Sequence, residues 1–156
     1  MIVGGLYFVK DKFYEKYSKY GLMLNKGENH GRPCCYAFKM HKDDDLFWMI
    51  PISSKVEKYE LLYQRSIEKY GICDNIEYGY VKGHKNAFLI QNMFPVKEKY
   101  IKNAYVDLNT KKIIVMSSDF IARINKKARK KYNYNFAGKK FGMTDIVSIY
   151  NELLNE

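Results

Sequence analysis

Leu46-Phe47-Trp48-Met49-Ile50-Pro51-Ile52-Ser53-Ser54-Lys55 is the stretch whose reading decides the fold. Leu46–Ser53 reads as one strand, apolar through Ile52. The period then changes. Val56, Tyr59, Tyr63, Ile67 and Tyr70 recur at intervals of three and four, and Gly71 ends the run, so a helix follows directly. Ser53, Ser54 and Lys55 therefore fall on a strand-to-helix junction. Upstream, Pro33–Lys39 reads as a strand joined to the first across His41-Lys42-Asp43-Asp44-Asp45, a hairpin signal. Ile2–Val9 is a further strand. Phe13, Tyr14, Tyr17 and Tyr20 place a helix over Asp11–Tyr20, stopped by Gly21, and a polar loop covers 22–31. Downstream, Ile76–Lys82 and Asn86–Met93 form a hairpin around Gly83-His84, with Pro95 breaking the pattern beyond it. Tyr105–Leu108 pairs with Lys111–Met116 across Asn109-Thr110. Ser117 or Ser118 caps a helix to about Lys131, with Asp119 in its first turn. Thr144 caps a last helix, striped by Ile146, Ile149, Tyr150 and Leu153. Strands joined by short turns with helices inserted between them predict an α+β fold on an antiparallel sheet.

The chain has 156 residues, 47% hydrophobic and 28% charged, which suits one folded domain over 1–156 and excludes wholesale disorder. No apolar run approaches the roughly 18–20 residues of a membrane helix, and the first residues lack the basic stretch and cleavage site of a signal peptide. A cytoplasmic protein is expected. Cys34, Cys35 and Cys73 read as free thiols, the first two on opposite faces of a strand. His30, His41 and His84 are scattered with no close Cys or Glu, so no zinc site and no cofactor are expected. Asp43, Asp44 and Asp45 could face Mg²⁺ only in part, since consecutive turn residues cannot all point at one ion.

The net charge of +10 and the 15 tyrosines point to a polyanionic partner. The charge is concentrated. Between 111 and 140 stand Lys111, Lys112, Arg123, Lys126, Lys127, Arg129, Lys130, Lys131, Lys139 and Lys140, opposed only by Asp119. Tyr132 and Tyr134 follow the densest run. Basic charge beside aromatics suits single-stranded or irregular RNA, and these residues form the expected RNA-binding set; a merely solvated basic face is the other reading. At the junction, two hydroxyls and an ammonium within three residues can bind one phosphate. An ordinary helix start with Ser54 as its cap would leave the same pattern. Before the strand at Pro33, Arg32 can hold a phosphate bidentately and His30 can exchange a proton near neutrality, although Asn29-His30-Gly31-Arg32-Pro33 also reads as a plain turn. His84 and His41 read as idle turn histidines.

With these residues in view, the chain resembles the protein toxins of type III toxin–antitoxin systems, the ToxN and AbiQ group, and within it the CptIN-type branch. Arg32-Pro33 opening a strand, Phe47-Trp48-Met49-Ile50-Pro51-Ile52-Ser53-Ser54-Lys55, and Phe88-Leu89-Ile90-Gln91-Asn92-Met93-Phe94-Pro95-Val96 carry the resemblance, which spans essentially the whole chain. It implies a compact, twisted, barrel-like sheet similar to that of the MazF/Kid toxins. It implies a metal-independent, sequence-selective endoribonuclease acting on cellular or phage RNA in phage defence. It also implies a small RNA antitoxin of pseudoknot repeats, processed by the toxin and closing with it into a ring-like complex of two or three copies of each. Ser53 matches the family's Ser/Thr, Ser54 its Ser, Lys55 its Lys, and Arg32 stands where a relative has Lys. Without a metal, the substrate's own 2′-hydroxyl becomes the nucleophile, leaving 2′,3′-cyclic phosphate and 5′-hydroxyl ends. Lys55 and Arg32 are then expected to stabilise phosphorane charge, Ser53 and Ser54 to orient the phosphate, and His30 to serve as acid or base. The competing class is a non-catalytic RNA- or DNA-binding protein that uses the basic 111–140 segment and needs no convergence at Ser53.

Overall fold

A computed structural model describes residues 1–26, 31–42 and 44–156. The antiparallel sheet is built around β3 (Leu46–Ser53), whose eight residues are all buried. Along one edge β3 pairs with β2 (Cys34–Phe38), with Cys34 opposite Pro51 and Cys35 opposite Ile50. Its other edge is shared. β6 (Phe94–Lys97) takes the first half, Phe94 opposite Met49, and β5 (His84–Leu89) takes the end, Ala87 opposite Ser53. The chain between β5 and β6 leaves the ladder as a single 3₁₀ turn, Ile90–Asn92. Pro51 sits at that gap. Ile52 N–H donates to the Pro33 carbonyl on the β2 side at 3.0 Å, so the nitrogen of Pro51, one residue earlier, faces the gap, where no donor is needed.

β4 (Ile76–Val81) extends the sheet beyond β5, and β1 (Leu6–Val9) and β7 (Ile101–Ala104) extend it beyond β2, giving the order β4-β5-β3-β2-β1-β7. The expected barrel-like closure is corrected here. No ladder joins β4 to β7 among the described residues; because β3 has two partners on one edge, the sheet forks instead of closing. The strand expected over Ile2–Val9 is shorter, since the chain turns at Gly4, which holds φ +86° against Ile121, and Gly5 meets Val115 only as an isolated bridge. The pairing expected after Tyr105 is likewise reduced to a bridge, Val106 to Ile113.

Alternation along β3 sends side chains to two cores. Trp48, Ile50 and Ile52 face the helix α3 (Ser118–Phe136), which contributes Phe120, Ile121, Ile124 and Ala128. Trp48 is fully buried, stacked on Phe38 at 5.9 Å and met edge-on by Tyr132 at 5.2 Å. Phe47 and Met49 face the other side, where α1 (Asp11–Tyr17) adds Phe13 and Tyr17. The helix α4 (Ile146–Leu154) serves both, with Ile146 in the first core and Ile149 and Leu153 in the second. Asp145, not Thr144, caps it by accepting from Ser148 N–H; the Thr144 hydroxyl donates to the Gly21 carbonyl instead. Cys35 and Cys34 lie in the two different cores, as strand alternation requires, and burial pushes both thiols up, Cys34 to about 12. The helix α2 (Val56–Tyr70) closes a third, smaller cluster over β4 and β5 through Tyr59, Cys73, Ile76, Ala87 and Leu89. Tyr70, the last residue of the expected apolar stripe, faces solvent.

Near the chain's end, Glu156 gathers Lys16, Lys99, Tyr17 and Tyr100 on one carboxylate, tying α1 and the turn before β7 to the end of α4. Burial opposes its ionisation, but these four donors prevail and hold the carboxyl well below its ordinary range. A carboxylate depressed in the folded state contributes stability that is present above its unfolded pKa and lost as pH falls through the folded value. Glu156→Gln should therefore lower the melting temperature at pH 7 and narrow the gap from the parent below about pH 4, measured by thermal denaturation across pH.

Candidate nucleotide-binding cleft

The junction after β3 opens into a cleft of about 830 Å³, bordered by the chain before β2, the start of α2, the β4–β5 hairpin and Tyr105. That size suits a ligand of nucleotide dimensions or larger. Each wall has a local cause. Ser53 is the last residue of β3, 8% exposed, and its Oγ accepts Lys55 N–H at 3.2 Å. This short turn ends the strand and starts α2, whose N-cap position is Lys55. The serine oxygen at the helix start is thus Ser53, not the expected Ser54, and Ser54 stands exposed at the rim. Lys58, one turn after Lys55, shares its helix face and also lines the cleft.

Arg32 reaches the same cleft from the opposite wall. Its Nε donates to the Leu24 carbonyl at 3.2 Å and one Nη to the Ile52 carbonyl at 3.0 Å. Asn25 Oδ1 accepts the Arg32 backbone N–H at 2.8 Å, so the base of the side chain is fixed as well. Two of the five guanidinium N–H groups are held by backbone, and no carboxylate pairs with Arg32 among the described residues. The remaining donors are positioned for an incoming anion. His30 lies outside the described residues, as does Asp43.

The third wall has no signal in the local sequence. Val81 and His84 pair across the two-residue turn Lys82-Gly83, where Lys82 holds φ 51° and Gly83 φ 77°, as a right-twisted hairpin demands. The turn thus lies one residue before the expected Gly83-His84, and β5 starts at His84. Lys82 Nζ sits 4.6 Å from the centroid of the Tyr105 ring. Lys82, His84 and Asn86 all line the cleft. A hairpin reading alone could have brought a histidine near β3 only with knowledge of which strand β5 joins.

Among the described lining residues, Lys26, Arg32, Lys55, Lys58 and Lys82 are cationic, and none is acidic. A concave surface of one sign focuses its potential on the solvent inside and favours a polyanion. Among the described residues, no group of three His, Cys, Asp or Glu is arranged to hold a metal ion.

The basic 111–140 segment behaves differently from its sequence. Glu77 on β4 pairs with Lys127 at 2.8 Å and with Arg123 at 3.7 Å, and Asp74 pairs with Lys130 at 2.5 Å. The acids missing from the segment come from a remote part of the chain. Arg129 lies over the Phe38 ring at 4.7 Å. Tyr132 packs between Trp48 and Phe136, so it cannot stack on a base; Tyr134 is 40% exposed, with Lys139 over its ring. Lys131 is the plainest correction to the expected RNA-binding set. Fully buried, it donates to the Gln91 carbonyl at 2.8 Å and supports the turn of Gly142 against that carbonyl. Lys111, Lys112, Lys126, Lys139 and Lys140 stay exposed, with no ion pair among the described residues.

No family model matches the chain, and no curated protein matches it. Solved structures do. AbiQ, a lactococcal anti-phage endoribonuclease of a type III toxin–antitoxin system, is 17% identical, with 97% of this chain and 98% of that chain covered at a TM-score of 0.67. A bacterial antiviral system regulated by a processed non-coding RNA gives 11% identity, 97% and 98% coverage and a TM-score of 0.66. A bacterial type III system in which a non-coding RNA pseudoknot selectively inhibits the toxin gives 17% identity, 82% and 77% coverage and a TM-score of 0.56. The α+β fold on an antiparallel sheet is thus shared with AbiQ over nearly the whole chain. No helix is long and apolar enough to cross a membrane among the described residues.

Burial alone pulls the Lys131 ammonium down to about 7. A lysine lowered in the folded state makes folding release a proton between the folded and unfolded values, so stability rises with pH across that interval. Lys131→Met should remove this dependence. Its melting temperature relative to the parent should be most favourable near pH 7 and decline steadily towards pH 10, as read by calorimetry.

Proposed function

We propose that this protein is the toxin of a type III toxin–antitoxin system, an endoribonuclease that cleaves RNA without a metal and is inhibited by a small RNA. The observation that carries this reading is the cleft, lined by five cations and by no acid among the described residues, that brings Arg32, Ser53, Ser54 and Lys55 together in a chain with the fold of AbiQ. The donor set fits phosphoryl transfer driven by the RNA itself. The 2′-hydroxyl attacks phosphorus, charge builds on the phosphorane oxygens, and the 5′-oxygen departs. Lys55 and the free N–H groups of Arg32 supply charge and donors to those oxygens, and the serine hydroxyls orient the phosphate. The products are a 2′,3′-cyclic phosphate and a 5′-hydroxyl. A pseudoknot-repeat antitoxin of the CptIN type would lie across the cleft and close a ring with two or three copies of the protein.

The competing view, a nucleic-acid-binding protein relying on the 111–140 segment, is weakened by Glu77 and Asp74, which offset its densest charges. The exposed lysines of that segment remain suited to secondary contacts with RNA outside the cleft.

Loss of one donor aimed at a developing oxyanion costs about 10²–10³ in rate. Ser53→Ala and Lys55→Ala should each reduce cleavage of RNA by that order while the melting temperature stays near the parent value. Cleavage should persist in excess EDTA, and mapped products should carry cyclic phosphate and 5′-hydroxyl ends; 5′-phosphate ends or dependence on Mg²⁺ would overturn the mechanism.

Salt dependence separates the two groups of lysines. Every lysine that neutralises a phosphate of a single strand adds about 0.7 to the slope of log affinity against log salt. Neutralising Lys55 and Lys58 together should lower the slope for RNA binding by about 1.4. Neutralising Lys127 and Lys130 should leave it nearly unchanged, since both are already paired with acids.

A further inference from the structure

Resting on the nuclease reading, we infer that His84 is the general base that takes the proton from the attacking 2′-hydroxyl. The cleft needs such a group and offers few among the described residues. Among the described residues, the titratable and charged groups that line the cleft with His84 are Lys26 and Arg32 from the chain before β2, Lys55 and Lys58 from the start of α2, Lys82 from its own hairpin, and the phenols of Tyr59 and Tyr105. Lysine, arginine and tyrosine change charge far above neutrality, and no carboxylate lines the cleft among the described residues. Imidazole is the side chain suited to exchanging a proton between pH 5 and 8.

The hairpin fixes the backbone that carries the imidazole. His84 opens β5, three residues from Ala87, which is the partner of Ser53 in β3. That spacing sets it about 10 Å along the strand from the Ser53 pair, beyond the end of β3 and over the cleft. His84 and Asn86 share a face of β5 by alternation, and both line the cleft. Asn86 is 8% exposed, and its Nδ2 donates to the His84 carbonyl at 3.0 Å. The strand start is thereby braced from within, while His84 itself is exposed. Lys55 and Arg32, which line the same cleft, would hold the phosphate whose neighbouring 2′-hydroxyl His84 would serve.

The step balances without another reagent than water. A lone pair of the 2′-oxygen forms the new bond to phosphorus as its proton passes to the neutral imidazole. The bond from phosphorus to the 5′-oxygen breaks, and that oxygen takes a proton from water. The imidazolium returns its proton to the hydroxide so formed, and the net change is transfer of the 2′ proton to the 5′-hydroxyl.

The test compares the wild-type protein with His84→Gln on an RNA oligonucleotide spanning a mapped cut, and on the same oligonucleotide with sulfur in place of the bridging 5′-oxygen. For the wild type, kcat/KM should rise with unit slope on the acid side and then level. His84→Gln should lose about 10²–10⁴ in rate and lose that acid limb, with an unchanged melting temperature. Because a 5′-thiolate leaves without an acid, the defect should persist on the sulfur substrate if His84 is the base. Recovery of the rate on that substrate would make His84 an acid and overturn the inference, as would an unchanged rate and limb in His84→Gln. Absence of cleavage by the wild-type protein on either substrate would instead overturn the nuclease reading, and this inference with it.

Discussion

Everything in this molecule hangs on one strand being hydrogen-bonded along both edges and buried on both faces. β3 has β2 on one side and β6 and β5 in succession on the other. Its alternating side chains divide between two cores, with Trp48 fixing α3 and α4 on one side and Met49 meeting Phe94 and α1 on the other. A strand so held cannot shift register without moving every side chain to the wrong core. That rigidity is passed to Ser53, which ends β3 with its hydroxyl committed to the first N–H of the helix start. The cleft is placed by the best-packed element of the fold, and a site that must orient a phosphate needs such a support.

Charge is distributed against the impression its sequence gives. The densest run of lysines and arginines belongs to α3, whose inner face must pack and whose flank meets β4. There Glu77 and Asp74 offset Arg123, Lys127 and Lys130, while Lys131 turns inward to a carbonyl. The five cations of the cleft come from three separated segments, Lys26 and Arg32 before β2, Lys55 and Lys58 at the start of α2, and Lys82 in the β4–β5 turn, so none forms a run, and no acid accompanies them among the described residues. Uncompensated charge in a concave site acts on a ligand more strongly than a larger number of paired charges on a convex helix.

Two polar fastenings hold the periphery to this core. Glu156 joins α1, the turn before β7 and the end of α4 through four donors. Lys131 and Met143 N–H converge on one carbonyl, that of Gln91, and tie the chain before α4 to the 3₁₀ turn opposite Pro51. Each is a charged group satisfied by specific partners, which fixes one arrangement of elements that apolar contact alone would leave less defined.

The amino-acid sequence by itself determined the elements: β3 over Leu46–Ser53, α2 over Val56–Tyr70 with Gly71 in the left-handed stop, and an α+β chain of hairpins and helices. These rest on period and on turn chemistry, which are local. It also singled out Arg32, Ser53, Ser54 and Lys55, because a junction of strand and helix brings neighbours in sequence to one place. The tertiary structure alone decided the rest. That β5 and β6 share one edge of β3, so that the sheet forks and does not close, follows from pairings between segments about 35–50 residues apart. The same pairing carries Lys82 and His84 to the cleft and changes an apparently idle turn histidine into a lining residue. Which lysines of α3 are free depends on Asp74 and Glu77, about 50 residues away. Periodicity reports which face a residue shows, but the partner of that face is set by packing between distant segments, and on that partner both compensation of charge and assembly of the site depend.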